Sequence, residues 1–226
     1  LVVFGGIAPK EKVFITGHPF SSEEVRERMP TLPLTRDNTV IFSSRWDREK
    51  NPLFFLKVAE QVVKINKNVK FIVCTSAERI RSNFPEALEK LNQCTSQYPN
   101  NILLKEGLTK EDYYEELCKA KIQMNTADQD FVAITLLEAS VAGCYPVYPY
   151  FRSFPETLRY KPEYMYNRLD VEDAVKKVLK IVQRDDLWTE EEIEKRSWIH
   201  TRFDTSFMRM YNTMMYGSTG GDPYAF

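Results

Sequence analysis

Two carboxylates, Asp130 and Glu138, stand eight positions apart in Asp130-Phe-Val-Ala-Ile-Thr-Leu-Leu-Glu138. The second lies inside an apolar run that stops at Gly143. Each carboxylate accepts two or more hydrogen bonds, so both suit the hydroxyls of a sugar or a ribose. An ionised carboxylate among apolar neighbours is costly to bury unless it is paired, so Glu138 is expected either to line a cleft or to turn to solvent. Far upstream, Arg45-Trp-Asp-Arg-Glu-Lys50 sets two cations five positions apart, directly after an apolar run. Cations so placed can lie over a diphosphate and stabilise the charge that builds on it as it leaves. The intervening Asp47, Arg48 and Glu49 leave a solvated charged loop as the alternative.

The elements that must position these groups read as short strands alternating with amphipathic helices. Strands are expected at 12–16, 39–43, 69–74, 101–104, 121–125, 145–148 and 163–166. Asn51 followed by Pro52 predicts a helix start, as do Thr109 with Asp112, Asp170, and Thr189 with Glu192. Further helices are expected over 85–93 and 206–216, and residues 21–37, with Pro30 and Pro33, read as a linker. The helix carrying Glu138 is expected to begin near Val132. Its first amides, on Ala133, Ile134 and Thr135, would then lack helical partners and point at an anion, unless they simply face water.

Such alternation predicts an α/β fold, a Rossmann-like parallel sheet with helices on both faces. Ligands of such sheets bind outside the carboxyl ends of the strands. Arg45, Thr126, Asp130 and the segment after Val147 all fall just past an expected strand end.

Composition narrows the field. Among 226 residues, Lys plus Arg number 31 and Asp plus Glu 32, a net charge of −1, so no global field selects a nucleic acid or an anionic membrane. No apolar run approaches the ~18 residues of a membrane span. Cys74, Cys94, Cys118 and Cys144 are scattered, which predicts reduced thiols and a cytoplasmic protein. Two histidines are too few for a histidine metal site, and no metal is expected. The chain opens on strand-like Leu1-Val-Val-Phe and reads as part of a longer protein.

In their order and separation these motifs resemble the donor half of the retaining glycosyltransferases with two facing Rossmann-like domains, the GT-B fold. Arg45 and Lys50 match that family's arginine after the first donor-domain strand and its lysine five residues on. Asp130 and Glu138-Ala-Ser-Val-Ala-Gly-Cys-Tyr-Pro-Val match its second motif, and Val13-Phe-Ile-Thr-Gly-His-Pro-Phe resembles its hand-over between domains. The resemblance covers roughly residues 10–216. It implies that Arg45 and Lys50 bind the diphosphate, that Asp130 touches the transferred sugar, and that Glu138 holds the ribose. The amides of Ala133, Ile134 and Thr135 and the nearby Thr126 would line the donor, and the segment around Leu104–Gly107 would pack near the base. It further implies retention, a UDP- or GDP-linked sugar as donor, no other cofactor, and a missing N-terminal domain that holds the acceptor. That acceptor stays open among glycan, lipid, small molecule and nucleic acid. On this basis residues 1–37 would close the acceptor domain and form the linker. Residues 38–200 would bind the donor, and 201–226 would be a C-terminal helix and mobile tail.

Three departures from the family pattern stand out. Asp130 replaces a glutamate, Val132-Ala133 replaces Phe-Gly, and Gly143-Cys-Tyr-Pro146 has one residue more than usual. The last, with Cys118-Lys-Ala-Lys-Ile, Phe154-Pro-Glu156, Arg45-Trp46 and Leu108-Thr-Lys-Glu-Asp-Tyr-Tyr, resembles the tRNA-queuosine mannosyltransferase branch. A nucleic-acid glycosyltransferase of the same fold, a sugar-nucleotide epimerase and a degenerate nucleotide-binding module are the alternatives. The cluster Tyr145, Tyr148, Tyr150, Phe151 and Phe154 could stack a sugar or base, or could be packing. Arg152 and Arg159 could meet phosphate or RNA, or be surface charges. His18 would be a turn residue near the hinge.

Overall fold

A computed structural model of the chain describes residues 18–33, 35–130 and 132–216. Its sheet has six parallel strands in the order β3-β2-β1-β4-β5-β6. These are β1 (Asp37–Phe42), β2 (Lys70–Cys74), β3 (Ile102–Lys105), β4 (Ala120–Met124), β5 (Tyr145–Pro149) and β6 (Met165–Tyr166). The β-branched and aromatic runs that marked the strands are buried on both faces, as a helix-covered parallel sheet requires.

The pleat sorts the core. Val40 and Phe42 of β1, Phe71 and Val73 of β2, and Ile122 and Met124 of β4 face α2 (Pro52–Ile65), α3 (Pro85–Gln97) and α7 (Val171–Val182). Phe55 of α2 sits 4.6 Å from Phe42 and 5.7 Å from Phe71, ring centre to ring centre. Ile41 and Ile72 point the other way, toward α1 (Ser22–Glu27), α4 (Lys110–Lys119) and α5 (Ile134–Val141). The remaining helices are the short α6 (Phe154–Thr157), α8 (Glu190–Arg196) and α9 (Trp198–Tyr216).

The chain leaves β1 toward one face, through α2, and β4 toward the other, through α5. These strands are neighbours, so their exit loops diverge and open a crevice at the carboxyl edge, where ligands of such sheets settle.

Several expectations need correction. The supposed linker contains α1, capped by the Ser21 hydroxyl accepting from the Glu24 amide. Asp204 on α9 fastens it by accepting from the Ser22 amide and hydroxyl, both at 2.7 Å, a contact no local reading contains. Asn51 precedes α2 but caps nothing with its side chain, because it is held in the left-handed region at φ 51°. Helix α5 starts at Ile134 rather than near Val132, and α9 is one helix from Trp198 where a shorter piece was expected. The last strand is only Met165–Tyr166, since Pro162 opens a 3-10 turn before it. The expected strand at 12–16 and the tail from 217 lie outside the described residues.

Candidate functional site

A pocket of about 300 Å³ opens at the carboxyl edge. Ser43 and Arg45 enter it after β1, Thr75 after β2, Thr109 after β3, and Thr135 and Glu138 from α5. Glu138 lines this cleft and does not turn to solvent. Its side chain is 5 % exposed, and Oε1 accepts from Lys110 Nζ at 2.5 Å and from the Tyr114 hydroxyl at 3.1 Å. Burial, reinforced by the Glu138 charge, holds the Tyr114 phenol well above its usual range, so it stays a donor to that carboxylate. Lys110 and Tyr114 are one helical turn apart on α4, which puts both on the face toward Glu138.

Lys50 and Asp130 are also brought together. Lys50 Nζ donates to the Gln129 carbonyl at 2.9 Å and to Asp130 Oδ2 at 3.2 Å. Both side chains are largely withdrawn from water, at 12 % and 21 % exposure. Arg45 behaves differently. Its guanidinium is 70 % exposed and paired with Asp47 at 3.2 Å and Glu49 at 2.6 Å, so the two expected cations do not converge on one point. Arg45 nonetheless borders the pocket, from which it could swing inward.

The loops under these groups are laced. The Thr126 hydroxyl donates to the carbonyl oxygens of Lys50 at 2.7 Å and Asn51 at 3.2 Å. Thr126 is therefore a fastener between the β1 and β4 exit loops, which corrects its expected place on the donor. The Asp128 amide donates to Glu49 O at 2.8 Å, and the Ser153 hydroxyl to Asp130 O at 2.8 Å. Leu104 needs a second correction. Alternation along β3 turns it onto the α2–α3 side of the core, and Leu108 and Thr109 line the pocket instead.

At the start of α5, Ala133 is buried, Ile134 is 37 % exposed and Thr135 lines the pocket. Leu136 and Leu137 make the first helical bonds, at 2.8 and 3.4 Å to Ala133 O. The Ile134 and Thr135 amides precede those bonds, and Ala133 supplies no side-chain cap. The aromatic cluster in and just after β5 is mostly packing. Tyr145, Tyr148 and Phe154 are buried, Tyr148 donates to Gln123 Oε1 at 2.5 Å, and Tyr150 is 53 % exposed. His18 is exposed and does not line the crevice pocket. Among the described residues no three His, Cys, Asp or Glu side chains gather into a possible metal site. No described helix is long and apolar enough to cross a membrane.

Sequence reasoning missed Lys110 and Tyr114, whose partner lies 28 and 24 positions away. Their signal was present in part, since the Thr109–Asp112 capping box fixed the start of α4 and hence which residues share its faces.

No family model matches the chain. A tRNA-queuosine alpha-mannosyltransferase from Drosophila melanogaster is 30 % identical over 129 residues, which span 57 % of this chain and 32 % of that protein. The chain thus matches about a third of the length of that curated relative. Among solved structures, TarM superposes with a TM-score of 0.67 at 18 % identity, over 82 % of this chain and 36 % of TarM. The pneumococcal O-GlcNAc transferase GtfA, solved with UDP and GlcNAc, gives 0.59 at 14 % identity, over 84 % and 38 %. OtsA, a trehalose-6-phosphate synthase, gives 0.67 at 8 % identity, over 87 % and 50 %. The chain has the Rossmann-like fold of one half of a GT-B glycosyltransferase.

Proposed function

We propose that this chain, with the fold of the C-terminal half of a GT-B glycosyltransferase, binds a nucleoside diphosphate sugar and passes the sugar on with retention. The acceptor would be held across the crevice by a further domain. One observation carries this reading: Lys50 with Asp130, and Glu138 with Lys110 and Tyr114, meet at the edge where β1 and β4 diverge.

The bond from the sugar's anomeric carbon to the diphosphate oxygen must break, which leaves negative charge on the diphosphate. Lys50 and an inward-swung Arg45 would take that charge, with the Ile134 and Thr135 amides facing it from α5. Asp130 would accept from a sugar hydroxyl, and its pairing with Lys50 fixes where it points. Glu138 would accept from the ribose hydroxyls, and its pairing with Lys110 fixes where it points. In this reading the side-chain cations serve the leaving group, and no resident cofactor is called for.

Neighbours solved with UDP support a nucleotide-sugar donor. The name of the Drosophila relative supports mannose as the sugar and a tRNA nucleoside as the acceptor. Four buried free cysteines support a reducing compartment, the cytoplasm.

Thermal unfolding with UDP, GDP and their sugar conjugates tests the reading. Ligand at 100-fold its Kd adds about 2.7 kcal/mol, or about 5–10 °C for a domain of this size. A shift with one nucleotide names the donor class, and GDP would fit a mannosyl donor. No shift with any of them rejects the reading in favour of a degenerate module.

A further inference from the structure

We propose that the segment from Tyr150 to Arg168 is a docking strip for the backbone and unstacked bases of an RNA acceptor. The inference rests on the transferase reading above and adds, to the facing domain that would hold the reacting end of the acceptor, a surface of this chain for the rest of that acceptor. The strip begins directly after β5 and adjoins the sugar end of the crevice. The Ser153 hydroxyl holds the Asp130 carbonyl at 2.8 Å, and Arg168 pairs with Asp128 at 2.8 Å.

Its charge departs from that of the chain. Arg152, Arg159, Lys161 and Arg168 stand against only Glu156 and Glu163 within it, in a protein of net charge −1. These cations are gathered on rings. Arg152 and Arg168 lie 5.1 and 4.2 Å from the centre of Phe151, and Arg159 and Lys161 lie 4.7 and 5.1 Å from that of Trp198. Tyr160, between Arg159 and Lys161, and Tyr150, two residues before Arg152, show 64 % and 53 % of their surface. Cations interleaved with exposed rings match a chain of phosphates carrying stackable bases, which an acidic protein surface does not offer.

The backbone adds an independent sign. Arg152, Arg159 and Tyr160 within the strip hold φ of 55°, 50° and 55°, and Leu169, one residue past it, holds 62°. They are four of the five non-glycine residues with positive φ among those described. Left-handed backbone is unfavourable for such side chains, and it concentrates where structure is held for a purpose other than stability.

A fluorescein-labelled RNA hairpin, followed by anisotropy across a salt series, tests the strip. The wild-type protein is expected to bind, more weakly as salt rises. The double variant Arg152→Glu/Lys161→Glu should lose more than tenfold in affinity at fixed salt, with the salt slope reduced by about 2. Tyr150→Ala, at an exposed site, should lose roughly tenfold without changing that slope. Each variant keeps the nucleotide-dependent thermal shift, which reports an intact fold and donor site. Unchanged RNA affinity in the double variant overturns the strip while the transferase reading stands. So does displacement of the hairpin by polyglutamate as readily as by unlabelled RNA. A wild-type protein that shifts with nucleotide yet ignores the hairpin overturns it too. Absence of any nucleotide shift in the wild type rejects the transferase reading itself.

Discussion

Glu138 and Lys50 lie in the same crevice but are held in different ways, and their variants should fail differently. Lys50 makes one direct ion pair, with Asp130, and is the cation proposed for the diphosphate. Lys50→Ala should weaken nucleotide binding by about 1.5–3 kcal/mol, the size of a charge-assisted hydrogen bond. Titration calorimetry with the preferred nucleotide checks this, and unchanged affinity removes Lys50 from the phosphate. Glu138 instead depends on its neighbours. Tyr114→Phe deletes one donor to a buried carboxylate and keeps the ring, so it should destabilise the protein by about 1–2 kcal/mol. Nucleotide affinity should fall with it if Glu138 holds the ribose, and a Tyr114→Phe protein that melts lower but binds equally well separates Glu138 from the donor. The carboxylates and Lys50 were legible because each sits in a local motif beside a strand end. Lys110 and Tyr114 were not, because their role exists only when α4 lies against α5. Thr126 and Leu104 were misjudged for a related reason. Position past or at a strand end says that a residue is near the edge, and not which way its side chain turns.

At the scale of elements, the joint between α1, α5 and α9 makes a pH-dependent claim. His200 of α9 is buried, with Nδ1 2.9 Å from the Ser140 hydroxyl of α5 and Nε2 3.2 Å from an Arg26 nitrogen of α1. A guanidinium can only donate, so Nε2 must accept and Nδ1 must carry the proton. The ring is therefore neutral. Burial, and then the Arg26 charge, lower its pKa to about 4, while Asp204 pulls the other way. The group is depressed below its unfolded value near 6.5. Its contribution is therefore complete above that value and is lost as pH falls toward 4, by on the order of 3 kcal/mol. The melting temperature should drop between pH 7.5 and pH 5, and His200→Gln should flatten that drop. Parallel pH profiles for the two proteins would sink the assignment. This joint also shows what a sequence hides. The six strands and the helices α2, α4 and α7 announced themselves through runs and caps, whereas the full length of α9 did not. Helix α1 has six residues and depends on Asp204, 182 positions away. No propensity within 21–37 could outweigh its two prolines in a local reading.

For the whole molecule, the decisive point is that the crevice has one wall. Lys50, Asp130, Glu138 and the start of α5 all lie on the edge of a single sheet, and nothing described here faces them across the opening. Transfer with retention requires the acceptor hydroxyl to reach the anomeric carbon on the face from which the diphosphate leaves, in a site that excludes water. Binding and chemistry should therefore separate. The chain alone is expected to bind the nucleotide, because the groups proposed for the diphosphate and the ribose are all present. It should leave the donor's sugar bond intact over hours, because the facing wall that would aim the acceptor hydroxyl, an orientation worth about 7–11 kcal/mol of a barrier, is missing. Joined to the facing domain of its longer relatives, the same site should release nucleoside diphosphate in proportion to acceptor. Chromatography of the donor after incubation reads both cases. Sugar transfer by the chain alone would mean that the wall described here suffices, and that Arg45, now paired with Glu49, moves much further than a side-chain swing.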